Sequence, residues 1–302
     1  MQTVLVAGAA GYLGRHIVVE LKRRGYRVRA FVRDGRKLKQ SGPFLEPAVD
    51  GLVDEVFEGD ATRPETLRGL CRGVDLVVSA MGLTHPDARM TPESVDHQGN
   101  RRILEQALEA GVGKFVYVSV FHAGEMMEVE TVRAHEAFVR DLESSGMEYA
   151  VVRPNGYFSD MAMFLKAARV GFMVWIGDGR SRINPIHGAD LAGVTVDALE
   201  GTEREVEAGG PETFTYRELL ELAFEALGKK PRILFIPLRV AEAVLSVIGR
   251  FSPKLAALGS FAVAVAGMDN CAPPHGSRRL GAFYRELSAR EKRNHTTSHQ
   301  EI

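Results

Sequence analysis

Long hydrophobic runs, cysteine and an excess of either charge are all scarce in this sequence, and each shortage removes a class of function. No apolar run reaches the roughly 18–20 residues that a membrane span needs. Lys and Arg number 38 against 39 Asp and Glu, a formal net charge of −1, so bulk charge does not direct the chain to nucleic acid. The two cysteines, Cys71 and Cys271, lie far apart and in no metal-ligand spacing. They fit a reduced, cytoplasmic compartment better than a disulfide framework, and no metal site is expected. The first strand pattern starts at residue 3, which leads us to expect no signal peptide ahead of it. A chain of 302 residues holds one large domain or two modest ones.

What is present organises around residues 1–33. Thr3 to Ala7 is a short apolar run with β-branched residues, the pattern of a buried strand. Gly8, Gly11 and Gly14 follow at three-residue spacing, and Ile17, Val18 and Leu21 then keep a helical period that stops at Gly25. Tyr26 to Val32 is a second strand pattern. Strand, glycine turn, helix and strand form the context in which a glycine triplet binds a dinucleotide. The glycines allow a tight turn, a close backbone approach to the pyrophosphate and close helix–strand packing, with the phosphates on the helix N-terminus. The second strand ends in Arg33 and Asp34, with Arg36 and Lys37 just beyond. Three cations favour NADP through its 2′-phosphate, while Asp34 on the ribose of NAD is the alternative.

Further along, strand patterns over 51–57, 74–80, 114–119 and 149–153 alternate with helical patterns over 64–71, 93–110 and 129–144. Such alternation predicts an α/β fold, a doubly wound parallel Rossmann sheet with ligands at the carboxyl ends of its strands. Those ends carry Asp60, Ser79, Ser119 and the turn Arg153-Pro154-Asn155-Gly156-Tyr157; Asp60 is placed to accept from an adenine amino group. Beyond Gly156 the alternation breaks. We expect the Rossmann domain over 1–158, resuming at about 184–210. A small, mostly helical C-terminal lobe over 159–183 and 211–288 would cover a substrate, and a polar tail over 289–302 would be disordered. Thr215 and Glu218 form a capping-box pattern ahead of a helix. The helical stretches 238–250 and 253–266 are rich in Ala, Val, Leu and Phe, and the second carries almost no charge, which fits core packing first, then a homodimer face, then contact with a membrane surface.

These residues together resemble the atypical short-chain dehydrogenase/reductases, the branch with NmrA-like and divinyl-reductase-like members. The carriers are GAAGYLG (8–14), FVR (31–33), GDA (59–61), GVDLVVSAMG (73–82), GVGKFVYVS (111–119), YAVVRPNGYF (149–158) and NPIHGADLA (184–192), so the likeness covers about residues 1–235. It implies NAD(P) bound by Gly8, Ala10, Gly11, Tyr12, Leu13 and Gly14, by Arg33 and Lys37, by Asp60 and Ala61, by Ala80, Met81 and Gly82, and by Ser119, His135, Pro154 and Asn155. One departure is chemical. Active short-chain dehydrogenases use Tyr-x-x-x-Lys on the helix after the fifth strand, the lysine lowering the tyrosine pKa. If His135 takes the lysine position here, Thr131 takes the tyrosine position, and a threonine hydroxyl is far too weak an acid to replace a phenol. His135 and Tyr157 remain as catalytic candidates, with His122 behind them. The expected function is an NADP(H)-dependent reductase of a small apolar carbonyl or alkene; the alternative is a non-catalytic NADP(H)-binding sensor or assembly factor.

Overall fold

The computed structural model describes residues 1–83, 90–248 and 268–298. It divides into two compact units, one formed by Met1–Pro154 with Gly188–Ala208 and the other by Asn155–His187 with Gly209–Ile302.

The first unit opens with β1 (Thr3–Ala7), whose Val4 to Ala7 are buried, then α1 (Tyr12–Arg23) and β2 (Arg27–Val32). Helix α1 buries Leu13, Ile17, Val18 and Leu21 on one face, the stripe an amphipathic helix presents to a sheet. Next come β3 (Glu55–Glu58), β4 (Leu76–Ser79), α2 (Gln98–Ala110), β5 (Lys114–Val118), α3 (Glu130–Ser144) and β6 (Glu148–Pro154). The chain then enters the second unit with α4 (Phe158–Val170), β7 (Met173–Ile176) and β8 (Arg182–Ile183), and returns for α5 (Gly188–Glu200) and β9 (Glu205–Ala208). Seven strands in the order β3-β2-β1-β4-β5-β6-β9 pair in parallel throughout. This is the Rossmann arrangement, and its strand order reverses between β1 and β4. Between sheet and helices, Leu5, Phe31, Val77, Phe115, Tyr117, Phe138 and Val151 belong to one buried cluster. Each such side chain contributes roughly 1.5–3 kcal/mol by leaving water.

The second unit completes itself with β10 (Phe214–Thr215), α6 (Tyr216–Glu225), β11 (Ile233–Ile236), α7 (Leu238–Ile248) and α8 (Leu280–Ser298). Strands β7 and β11 pair in parallel, and β8 and β10 antiparallel. Thr215 caps α6 in the expected capping box, its hydroxyl accepting from Glu218 N while Glu218 accepts from Thr215 N. Val170, Phe172, Val174, Leu234, Val240 and Val244 are exposed on this unit. Among the described residues no helix is long and apolar enough to cross a membrane.

Several expectations need correction. The helix read over 64–71 is only a 3₁₀ turn at Pro64–Thr66. Thr66 Oγ1 bonds the Asp60 and Arg63 backbone, and Gly69 sits at φ +80°, so side-chain bonding and a left-handed residue end the helix before its second turn. The third strand starts at Glu55 rather than at 51. The helix read from residue 93 begins as a π-helical turn, Glu93–His97, before α2. The tail is not irregular from 289, because α8 carries helix through Ser298; Phe283, Tyr284 and Leu287 are buried and anchor it. The apolar stretch 253–266 lies outside the described residues.

Candidate functional site

At the carboxyl ends of β1, β2, β3 and β4 the first unit encloses a cavity of about 400 Å³, a size suited to a small-molecule ligand. It lies where the strand order reverses, the position at which open α/β sheets bind ligands. Gly8, Ala10 and Gly11 form one wall, Ala80, Met81 and Gly82 another, and Arg33, Lys37, Asp60 and Ala61 the far end. These are ten of the residues expected to bind cofactor.

The glycine turn has little space to spare. Gly8 stands at φ +81°, and a Cβ there would lie 2.9 Å from Ala80 O, so both conformation and space require glycine. Gly11 N donates to Gly8 O at 2.9 Å, closing the turn, and Gly11 is the N-cap of α1. The first turn of α1 holds no acidic side chain, which leaves its positive end open to an anion. Gly14 serves packing, since its Cβ would meet Gly8 O at 2.1 Å, and Leu13 is buried. Tyr12 also packs the turn: its hydroxyl accepts from Gly188 N at 3.0 Å and so fastens α1 to the start of α5. The side chains of Tyr12 and Leu13, and the lack of one at Gly14, thus pack the turn.

One residue here escaped sequence reading. Arg15 is buried, and its guanidinium donates to Ala10 O (3.0 Å), Lys37 O (2.5 Å), Gln40 O (2.6 Å) and Pro47 O (2.9 Å). Burial lowers its pKa from the usual arginine value, opposed by the nearby Glu46 carboxylate. A single side chain thus ties the glycine turn to the loop that carries Lys37. The only trace in the sequence is a cation in the first turn of a helix, where cations are unfavourable.

At the far end Asp34 is committed. It accepts from Arg36 N (3.0 Å), caps the 3₁₀ turn Gly35–Lys39, and holds the Arg36 guanidinium at 2.9 Å; the hydrogen bonds from Arg36 draw its pKa below the usual range. Arg33 instead touches Met90 Sδ at 3.1 Å. Asp60 accepts from Thr62 N and Thr62 Oγ1 at 2.9 and 2.7 Å. Burial acts to raise its pKa, but those bonds and the cations Arg33 and Arg63 outweigh it and keep the carboxylate ionised.

Behind Gly82 lies a buried polar group. Asp96, fully buried in the π-helical turn, accepts from Leu83 N at 2.7 Å through Oδ1, while Oδ2 has no hydrogen-bond partner among the described residues. His135 Nε2 stands 3.8 Å from that Oδ2, too far for a hydrogen bond, and Nδ1 is 2.6 Å from Tyr117 Oη. Burial pushes the Asp96 carboxyl up to about 7 and the His135 imidazole down to about 4. Asn100 donates to Asp96 O at 2.8 Å and accepts from the buried Ser79 hydroxyl at 2.5 Å, fixing the turn.

The remaining expected residues do not border this cavity. The Ser119 hydroxyl donates to Glu136 at 2.9 Å, and Glu136 is bound twice by Arg153, which also pairs with Glu205; Ser119 does not line the cavity. Pro154 closes β6 and its carbonyl accepts from Phe121 N. Asn155 bonds Asn184 and Asn270 within the second unit, to which Tyr157 also belongs as N-cap of α4. His122 sits at φ +52° stacked on Phe121.

A model of an NAD(P)H-binding family matches residues 8–201, nearly two thirds of the chain. The chain belongs to that family. Among its relatives, a divinyl chlorophyllide a 8-vinyl-reductase of Zea mays is 28% identical over 259 residues, covering 82% of this chain and 64% of the maize protein. Photosystem II assembly factor Ycf39 of Guillardia theta is also 28% identical, over 79% of this chain and 74% of its own length. This NAD(P)H-binding chain therefore spans about two thirds to three quarters of the relatives it matches. An NADPH-dependent quinone oxidoreductase of Escherichia coli, solved with NADPH, superposes with a TM-score of 0.69 at 21% identity, covering 94% of this chain and 99% of the other; that likeness shows the shared fold. The cradle fits a dinucleotide: glycines stand where side chains would fill it, a helix N-terminus free of acid faces it, and cations stand at its end.

Proposed function

We propose that the protein is an NADP(H)-dependent reductase of a small apolar carbonyl or activated alkene. The observation that carries the cofactor preference is the division of labour after β2. Asp34, the residue that would bond a ribose 2′-hydroxyl, borders the cavity beside Arg33 and Lys37, but its carboxylate oxygens already accept from Arg36. A 2′-phosphate would meet two cations there, and Gly8, Gly11 and the start of α1 would take the pyrophosphate. When bound, the dinucleotide supplies a hydride; the protein has to bind, orient and keep water out, and for that no particular acid is obligatory. An apolar substrate follows from the apolar composition of the second unit, and the free thiols of Cys71 and Cys271 fit a reducing, cytoplasmic setting. Two measurements test this reading: calorimetric titration with NADP(H) and NAD(H), then a screen for NADPH oxidation with apolar ketones, quinones and enones. Tighter binding of NAD(H) would overturn the cofactor assignment.

A second reading, a non-catalytic NADP(H)-binding assembly factor, draws on the exposed apolar residues Val174, Leu234, Val240 and Val244 and on the absence of Tyr-x-x-x-Lys from α3. Under it the protein binds NADPH but does not oxidise it with any substrate of the screen, and forms a homodimer or associates with a protein or membrane surface, which co-sedimentation and light scattering would detect.

A further inference from the structure

Asp96 and His135 invite a role beyond holding the fold, because both stand directly behind the cavity wall. The Cβ position of Gly82 is 3.9 Å from Asp96 Oδ1 and from His135 Nε2, and Gly82 lines the cavity. The pair is built with care: a π-helical turn, a form often found at functional sites, carries Asp96, and Asn100 and Leu83 hold its backbone and one oxygen. Among the described residues the other oxygen has no hydrogen-bond partner and stands beside an imidazole, an arrangement that costs stability.

We propose that buried Asp96, beside a neutral His135, carries a proton that is released when the oxidised dinucleotide binds, so that the site distinguishes the two redox forms of its cofactor by charge. The proposal rests on the dinucleotide reading of the cavity. With a 2′-phosphate at Arg33 beyond β2, the ligand crosses the switch point and its other half extends toward β4 and β5, the side on which Asp96 and His135 lie. The oxidised nicotinamide carries a positive charge that the reduced ring lacks. A buried carboxylate on that side favours the oxidised ring, and a neutral carboxyl is indifferent to both.

Two protonation states are available, the second with one proton fewer than the first. With the proton on Asp96, the acid faces the Nε2 lone pair of His135, and Nδ1–H donates to Tyr117 Oη. With Asp96 ionised, Nε2–H faces the carboxylate and the Tyr117 hydroxyl donates to Nδ1. Burial raises the carboxyl and lowers the imidazole, so the proton stays on Asp96, beside a neutral imidazole, up to about neutral pH and leaves above it. The charged and titratable groups around them are Tyr117 on β5, Glu136 on α3 and Arg153 on β6, of which the last two are bound to each other, and His97, which is held by Glu93 and Asp141 at 2.8 and 2.9 Å. Among the described residues no cation pairs directly with Asp96 other than His135 when protonated.

The test is calorimetric titration of the full chain with NADP⁺ and with NADPH from pH 6 to 8.5, in buffers of different ionisation enthalpy. The 2′-phosphate titrates equally in both ligands, so the difference between them isolates the pair. NADP⁺ should tighten about tenfold relative to NADPH between pH 6 and 8, with uptake of close to one proton by the buffer per NADP⁺ bound at pH 6. Asp96→Asn, which keeps the bond from Leu83 N, should remove that difference. A common pH profile for both ligands, no proton release by the wild type, or a difference that survives Asp96→Asn overturns the proposal. The wild-type proton count decides by itself if the variant does not fold. Failure of both ligands to bind at any pH overturns the dinucleotide reading and this inference with it, whereas binding of both without a difference overturns only the inference.

Discussion

At the scale of single residues, the cavity separates side chains that meet a ligand from those that only build its wall. Under the proposed NADP(H) reading Arg33 belongs to the first kind. Arg33→Ala should weaken NADP(H) by about 1.5–3 kcal/mol, the loss of a charge-assisted hydrogen bond or two, and leave NAD(H) nearly unchanged; paired calorimetric titrations measure both. Gly11 and Gly14 differ in the same way. Gly11 borders the cavity and its Cβ would approach only Gly8 O, at 3.2 Å, so Gly11→Val should fold yet lose cofactor affinity. A Cβ on Gly14 would strike the Gly8 backbone at 2.1 Å, so Gly14→Ala should lower the melting temperature itself, by a cost on the order of 1–3 kcal/mol. Thermal melts with and without NADPH separate the two outcomes.

At the scale of elements, two helices carry the argument. Helix α1 does more than offer its N-terminus to the cavity, because Arg15 in its first turn binds the carbonyls of Ala10, Lys37, Gln40 and Pro47. Arg15→Met would leave those carbonyls without their donor, and the expected loss is about 3 kcal/mol or more of stability, together with a larger drop in NADP(H) than in NAD(H) affinity as Lys37 is released. Denaturant melts and cofactor titrations check it. Helix α3 presents Thr131 and His135 one turn apart. Thr131→Tyr with His135→Lys introduces a phenol and an activating cation, and under the reductase reading carbonyl reduction should rise roughly 10²–10⁴-fold. NADPH oxidation with a ketone panel measures this. Normal NADPH binding with no reduction counts against a reductase-like cleft.

At the scale of the whole molecule, the buried acid sets a pH dependence of folding. The folded pKa of Asp96 is raised to about 7, above its unfolded value, so the stability it contributes is fully present below about pH 4 and is lost as pH rises through about 7. His135 works in the opposite sense: its pKa is lowered to about 4, so its contribution is present above about 6.5 and is lost as pH falls through about 4. Asp96→Asn should therefore leave stability little changed at pH 4 and raise it relative to the wild type at pH 8, by an amount on the order of a few kcal/mol. Urea melts at the two pH values decide the sign.

The Rossmann sheet is legible in the amino-acid sequence because its signals are local. Apolar β-branched runs mark β1, β4 and β5, the glycines at 8, 11 and 14 are required within a single turn, and the alternation of strand and helix forces parallel pairing. The capping box at Thr215 is legible for the same reason. What local signals could not supply was which polar groups face which. Ser119 and Asn155 sit at the carboxyl ends of strands, as cofactor ligands would, yet Glu136 and Asn184, distant in sequence, take their hydrogen bonds. Asp96 and Arg15 carry no motif. Their importance comes from burial, and burial is set by chain segments that approach from elsewhere: Leu83 and His135 around Asp96, and the 37–47 loop around Arg15. The family and its glycine cradle were thus written in short-range pattern. The choice between ligand contact and internal partner was made only in the tertiary structure, because a polar group bonds whatever the fold brings within about 3 Å.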